Sequence, residues 1–121
     1  MFRERLLKAF LFVFRIAVSV GIIVAFLLPA GSVRAASLVV NSLGDTTNNA
    51  DGVCTLREAI INANNNAATW TNCVTGAGAD TITFTVAGTI TLTASLPTLT
   101  DAAGLTIDGG NNIIISGNSA F

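Results

Sequence analysis

Histidine and tyrosine are absent from the 121 residues, and Trp and Lys occur once each. Without His, a His-based triad, a His-ligated zinc site or a His-ligated haem is excluded within this stretch. Charge is scarce as well: 11% of residues are charged, while 51% are apolar. That is too apolar for a disordered chain and too poor in charge for an ordinary cytosolic domain. The length allows one small domain at most. Basic residues nearly vanish after the start of the chain. Arg3, Arg5, Lys8, Arg15 and Arg34 precede Ala35, and only Arg57 follows it. Asp45, Asp51, Glu58, Asp80, Asp101 and Asp108 all lie in that later part. So acidic a stretch has no basic groove, and nucleic acid is not an expected partner.

Long apolar runs are confined to the first 35 residues. Arg3, Arg5 and Lys8 form a basic leader, and residues 9–30 are apolar apart from polar Ser19 and the charge of Arg15. The uncharged part, residues 16–30, falls short of the ~20 residues of a membrane-spanning helix. It suits the core of a signal peptide. Pro29, Gly31 and Ser32 interrupt it before Val33-Arg34-Ala35-Ala36. Cleavage after Ala35 places Val33 and Ala35 at the two small-residue positions. The reading is a signal peptide over residues 1–35 and an exported mature chain, secreted or at the cell surface. On this reading only the signal segment meets the membrane. The competing reading is an uncleaved anchor over residues 9–30.

From Ala36 the chain is rich in Thr and Asn. Residues 37–42 read as a strand, and residues 43–52, with Asn, Asp and Gly, as a loop. Thr55-Leu56-Arg57-Glu58 fits a capping box, Thr55 at the cap and Glu58 three residues on. Leu56, Ala59, Ile60 and Ala63 then share one face, with Arg57, Asn62 and Asn65 elsewhere, predicting a helix over residues 55–66. Glu58 and Arg57 therefore have a structural explanation that needs no chemistry. Cys54 and Cys73 flank this helix; in an exported chain such a pair reads as a disulfide. Closing a loop of about 20 residues contributes roughly 3 kcal/mol. The competing two-cysteine metal site is short of four ligands. Trp70 lies inside the loop, placed to pack against the bridge or to stack on a sugar.

Residues 80–93 alternate apolar residues with Thr, a period of two and hence β. A shift of 23 carries Ile82, Phe84, Ile90 and Leu92 onto Leu105, Ile107, Ile113 and Ile115, and Thr83 onto Thr106. A repeat of this length with short β segments points to a solenoid. Each copy would be one coil of a parallel β-helix, with the helix capping its first coil. The expectation is thus an all-β solenoid start. Residues 36–79 form the capping region, and residues 80–121 form the first coils. Two coils bury too little to stand alone, so the chain reads as the amino-terminal part of something longer.

Cys54-Thr55-Leu56-Arg57-Glu58-Ala59-Ile60, followed by Asn62-Ala63-Asn64, resembles the CSLREA motif found near the amino terminus of many exported bacterial proteins. Thr55 replaces the usual Ser and keeps the capping hydroxyl. Leu38-Val39-Val40-Asn41-Ser42, Asp51-Gly52-Val53, Cys73, Gly78-Ala79-Asp80-Thr81-Ile82 and Leu105-Thr106-Ile107-Asp108-Gly109 resemble the surrounding segments of those proteins. The likeness spans about residues 37–117. It implies a right-handed parallel β-helix and leaves activity open, since the family includes adhesin-like and autotransporter-like members.

A calcium loop is a weaker reading. The EF-hand spacing lays onto Thr47, Asn49, Asp51, Gly52 and Glu58, but Thr47 stands where Asp is required and Asp45 falls two residues early. Asp108-Gly109-Gly110 reads as a tight turn, and Asp101 and Asp80 read likewise; no paired carboxylates are set by the repeat. No catalytic or cofactor-binding residue is assigned, and calcium is the sole candidate ion. Two functions remain. One is a structural, adhesive or surface-binding module whose partner is a carbohydrate or another cell-surface protein. The other is the start of a carbohydrate-active enzyme, a polysaccharide lyase or hydrolase, with its catalytic residues beyond residue 121.

Overall fold

Alternating apolar and small polar residues suit a pleated strand that buries one face, and the chain uses that pattern repeatedly. The computed structural model describes residues 34–119. Its elements are β1 (Ser37–Val40), α1 (Leu56–Asn65), β2 (Asp80–Phe84), β3 (Gly88–Thr91), β4 (Leu105–Ile107) and β5 (Ile113–Ser116). Apart from Arg34 and Ala35, the expected signal peptide and the alternative anchor over residues 9–30 lie outside the described residues. Among the described residues no helix is long and apolar enough to cross a membrane.

The expectation of an all-β, right-handed parallel β-helix is corrected here. The strands form two small parallel sheets, β1-β2-β4 and β3-β5, with one helix packed against them. Among the described residues there is no closed or solenoid sheet. The spacing is not constant enough for one. Ser37 pairs with Thr81, so the chain between β1 and β2 is long and is spent on α1 and its loop. Thr81 then pairs with Thr106, a much shorter return.

The 23-residue repeat is also out of register. Ile82 pairs with Ile107 and Ile90 with Ile115, so the partners of both lie two residues further on than expected. A shift of two keeps every side chain on its own face, so face patterning cannot tell the two registers apart. Either one sets Thr106 beside a Thr, Thr83 or Thr81. Backbone turns decide. The Gly104 N–H donates to the Asp101 carbonyl, and the Gly104 carbonyl accepts from Asp80 N–H at 2.9 Å.

One apolar cluster draws on both sheets and the helix. Leu38, Val40, Leu56, Ala59, Ile60, Ala63, Ile82, Ile90 and Leu92 are buried, together with Cys54 and Cys73. Full burial of a Leu or Ile side chain contributes about 1.5–3 kcal/mol. The cluster thins toward β4 and β5. Ile82 and Ile90 are 0% exposed, whereas their register partners Ile107 and Ile115 are 36% and 45% exposed.

Candidate functional site

The helix starts where its sequence says it should. Thr55, in extended conformation, accepts from Glu58 N–H, and Glu58 reaches back to Thr55 N–H at 3.0 Å. These bonds satisfy main-chain donors that a helix start leaves orphaned. Glu58 does more than cap. It is fully buried, and its second oxygen accepts from Asn48 N–H at 2.7 Å, tying the 43–52 loop to the helix. α1 ends at Asn66, which adopts the left-handed conformation and donates its N–H to the Ala63 carbonyl. Cys54 and Cys73 are joined by a disulfide with a Cα–Cα distance of 4.9 Å.

The four residues expected on the apolar face, Leu56, Ala59, Ile60 and Ala63, are buried, but so is Asn62. Its amide oxygen accepts from Trp70 N–H at 2.8 Å. Its nitrogen donates to the carbonyls of Trp70 and Val74. One side chain thus closes the loop after the helix. The backbone there runs so close that a Cβ on Gly76 would strike the Asn62 carbonyl, so only glycine fits. Asn66 finishes the closure by accepting from Gly78 N–H at 2.7 Å.

Asp45 and Arg57 form a bidentate pair, with Arg57 Nε to Asp45 Oδ1 at 3.0 Å and Nη2 to Oδ2 at 2.8 Å. Asp45 also accepts from the N–H and hydroxyl of Thr93. Burial pushes the Asp45 carboxyl up. The hydrogen bonds from Arg57 and Thr93, with the Arg57 charge, outweigh burial and hold it below the ordinary value of 3.8.

Arg57 then reaches the carbonyls of Ala94 and Ser95, both at 2.7 Å. Two turns along the helix, Asn64 donates to the Thr98 carbonyl and accepts from Thr100 N–H, each at 2.8 Å. Asn66 donates to Asp101 at 3.3 Å. Residues 94–101, which have no regular structure, are therefore strapped to α1 through side-chain contacts with their backbone and with Asp101. Helical spacing sets Arg57 and Asn62 merely off the apolar face and makes Asn64 part of the Asn run that ends the helix, with no partner in residues 94–101. A signal was present: Asn favours caps and turns over helix interiors, and α1 carries three.

The weak calcium candidates are each engaged by protein hydrogen-bond donors. Asn49 accepts from Thr71, Asp51 from Val53 N–H and the Asn72 amide, and Glu58 from Asn48 and Thr55. Among the described residues no group of three or more His, Cys, Asp or Glu side chains is placed to hold a metal ion. Asp108 caps its own turn through Gly110 N–H at 2.9 Å, with Gly110 and Asn111 at positive φ. Trp70 is half-buried, and its indole nitrogen is buried without a hydrogen-bond partner.

A pattern unites the acids. Each of Asp45, Asp51, Glu58, Asp80, Asp101 and Asp108 accepts from at least one main-chain N–H. These are all the acidic residues after Ala35. The carboxylates hold loops. Comparison of the chain with protein-family models, with curated proteins and with solved structures found no match.

Proposed function

We propose that this chain is an exported module with a structural, adhesive or surface-binding role, its leader removed after Ala35 and residues 54–73 closed into a loop by the Cys54–Cys73 bridge. The use of all six carboxylates as backbone acceptors carries the reading, because it leaves them building the scaffold. The likeness of residues 54–60 to the CSLREA motif of exported bacterial proteins supports the same reading, as does a disulfide, which persists in oxidising compartments. Among the described residues β4 and β5 lie at sheet edges, and Ile107, Ile114 and Ile115 on them are exposed. A free strand edge with apolar side chains suits strand addition by another surface polypeptide.

The test is to express the full chain with its leader in a bacterium and treat intact cells with protease. The exported material is also assayed for lyase and hydrolase action on acidic polysaccharides. The expected outcome is protein accessible at the cell surface or in the medium, with no polysaccharide products above background. Cleavage that is lost in the Asp51→Asn or Asp108→Asn variant would overturn the reading in favour of the enzyme.

A further inference from the structure

Asp80 is a buried carboxylate, 1% exposed, at the start of β2. Among the described residues the one ion pair is Arg57 with Asp45, so Asp80 faces only neutral donors. These are Ala77 N–H at 3.0 Å and Ala36 N–H, also at 3.0 Å to Oδ1. Burying a carboxylate without a cation is costly. Ala36 N–H also donates to the Ala77 carbonyl at 3.0 Å, and the Ala36 carbonyl accepts from Thr81 N–H at 2.9 Å. Two acceptors, one of them anionic, thus converge on a single nitrogen. Ala36 is half-buried against the core, while Arg34 and Ala35 are exposed.

That nitrogen belongs to the residue that follows the expected cleavage point. We propose that leader removal creates the missing cation, and that the new α-ammonium of Ala36 docks on Asp80 to lock β1 in place. This rests on the export reading above. In the cleavage, catalysed by a signal peptidase, water adds across the Ala35–Ala36 amide. The C–N bond breaks, Ala35 leaves as a carboxylate, and the Ala36 nitrogen takes up a proton to become an ammonium. Three N–H donors then replace one, enough for Asp80 Oδ1 and the Ala77 carbonyl together. The precursor presents only a neutral amide at this point, so β1 is held more weakly before processing than after it. Beyond Ala35 the chain has no Lys, and its single basic residue is Arg57. Within residues 36–121 the α-amine would therefore be the sole primary amine.

That chemistry makes the test selective. The full chain is exported with its leader, its amino terminus is sequenced, and the folded product is acetylated with an amine-directed ester. A second chain carries one Ser inserted between Ala35 and Ala36, moving the amine about 3.8 Å along the backbone. The expected result is an amino terminus at Ala36 that acetylates at least about tenfold more slowly than the inserted Ser. The insertion should also lower the folding equilibrium constant by about tenfold, the scale of one charged hydrogen bond. Asp80→Asn should raise the Ala36 rate to that of the insertion chain. If that variant is not exported, the insertion comparison decides alone. Equal acetylation rates on chains that begin at Ala36 and at the inserted Ser would overturn the docking and leave export standing. Exported material that retains residues before Ala36 would overturn the docking together with leader removal after Ala35.

Discussion

Ile60 on α1 is 1% exposed and Ile114 on β5 is 63% exposed, although both are Ile in regular elements of one small fold. The difference separates a closed region from an open one. Around α1, β1 and β2 the apolar face is covered, the loop is bridged by a disulfide, and Asn62 and Glu58 satisfy the backbone behind it. Around β4 and β5 the strands are three and four residues long and nothing described covers their outer faces. Stability should therefore reside almost entirely in the closed region, while the open one is available for contact.

The largest expected effect tests that division directly. Ile60→Ala should cost about 2–5 kcal/mol, as for a buried aliphatic side chain. Ile114→Ala should stay within about 0.5 kcal/mol, as for a surface change. Denaturant unfolding of both variants measures the contrast; similar losses would erase it. Next, replacing Cys54 and Cys73 by Ser should cost about 3 kcal/mol. Hydrogen exchange should then show the loss concentrated in residues 41–79, with β5 little changed.

Acid should loosen the closed region through Asp45. Its folded-state pKa is depressed, so its contribution is present above the ordinary value of 3.8 and is lost as pH falls through the lower folded value. An acid unfolding curve of the Asp45→Asn variant should be flatter below that pH than the wild-type curve. An unchanged curve would assign the acid sensitivity elsewhere. A smaller effect is expected from Asn64→Ala, which removes two bonds that strap residues 98–100 to α1 in an exposed setting, at about 1 kcal/mol. Amide exchange at Thr100 reports that loss before global unfolding does.

Local signals were read well where the chemistry is local. Thr55 and Glu58 sit three residues apart and bond each other's backbone. The apolar face of α1 follows from spacing, and the Cys54–Cys73 bridge needed only an even pair of cysteines flanking the helix. The strands were legible as alternation, though residues 80–93 break between Phe84 and Gly88 into two strands that belong to different sheets.

What the sequence by itself determined is therefore each element's type and the apolar side of α1, β2 and β3, because period, capping and residue size act over a few neighbouring residues. The tertiary structure alone decided which strands pair and in what register. It also made two small sheets of what the repeat suggested was a solenoid. A slip of two residues preserves the face of every side chain, so only the turns at Asp101–Gly104 and the long excursion through α1 could choose. It decided, too, that Asn62, Asn64, Arg57 and Asp80 act on backbone far along the chain. A hydrogen bond from Asn64 to the residue 98 carbonyl or from the residue 36 N–H to Asp80 leaves no periodic trace; it exists only once the packing has brought the partners together.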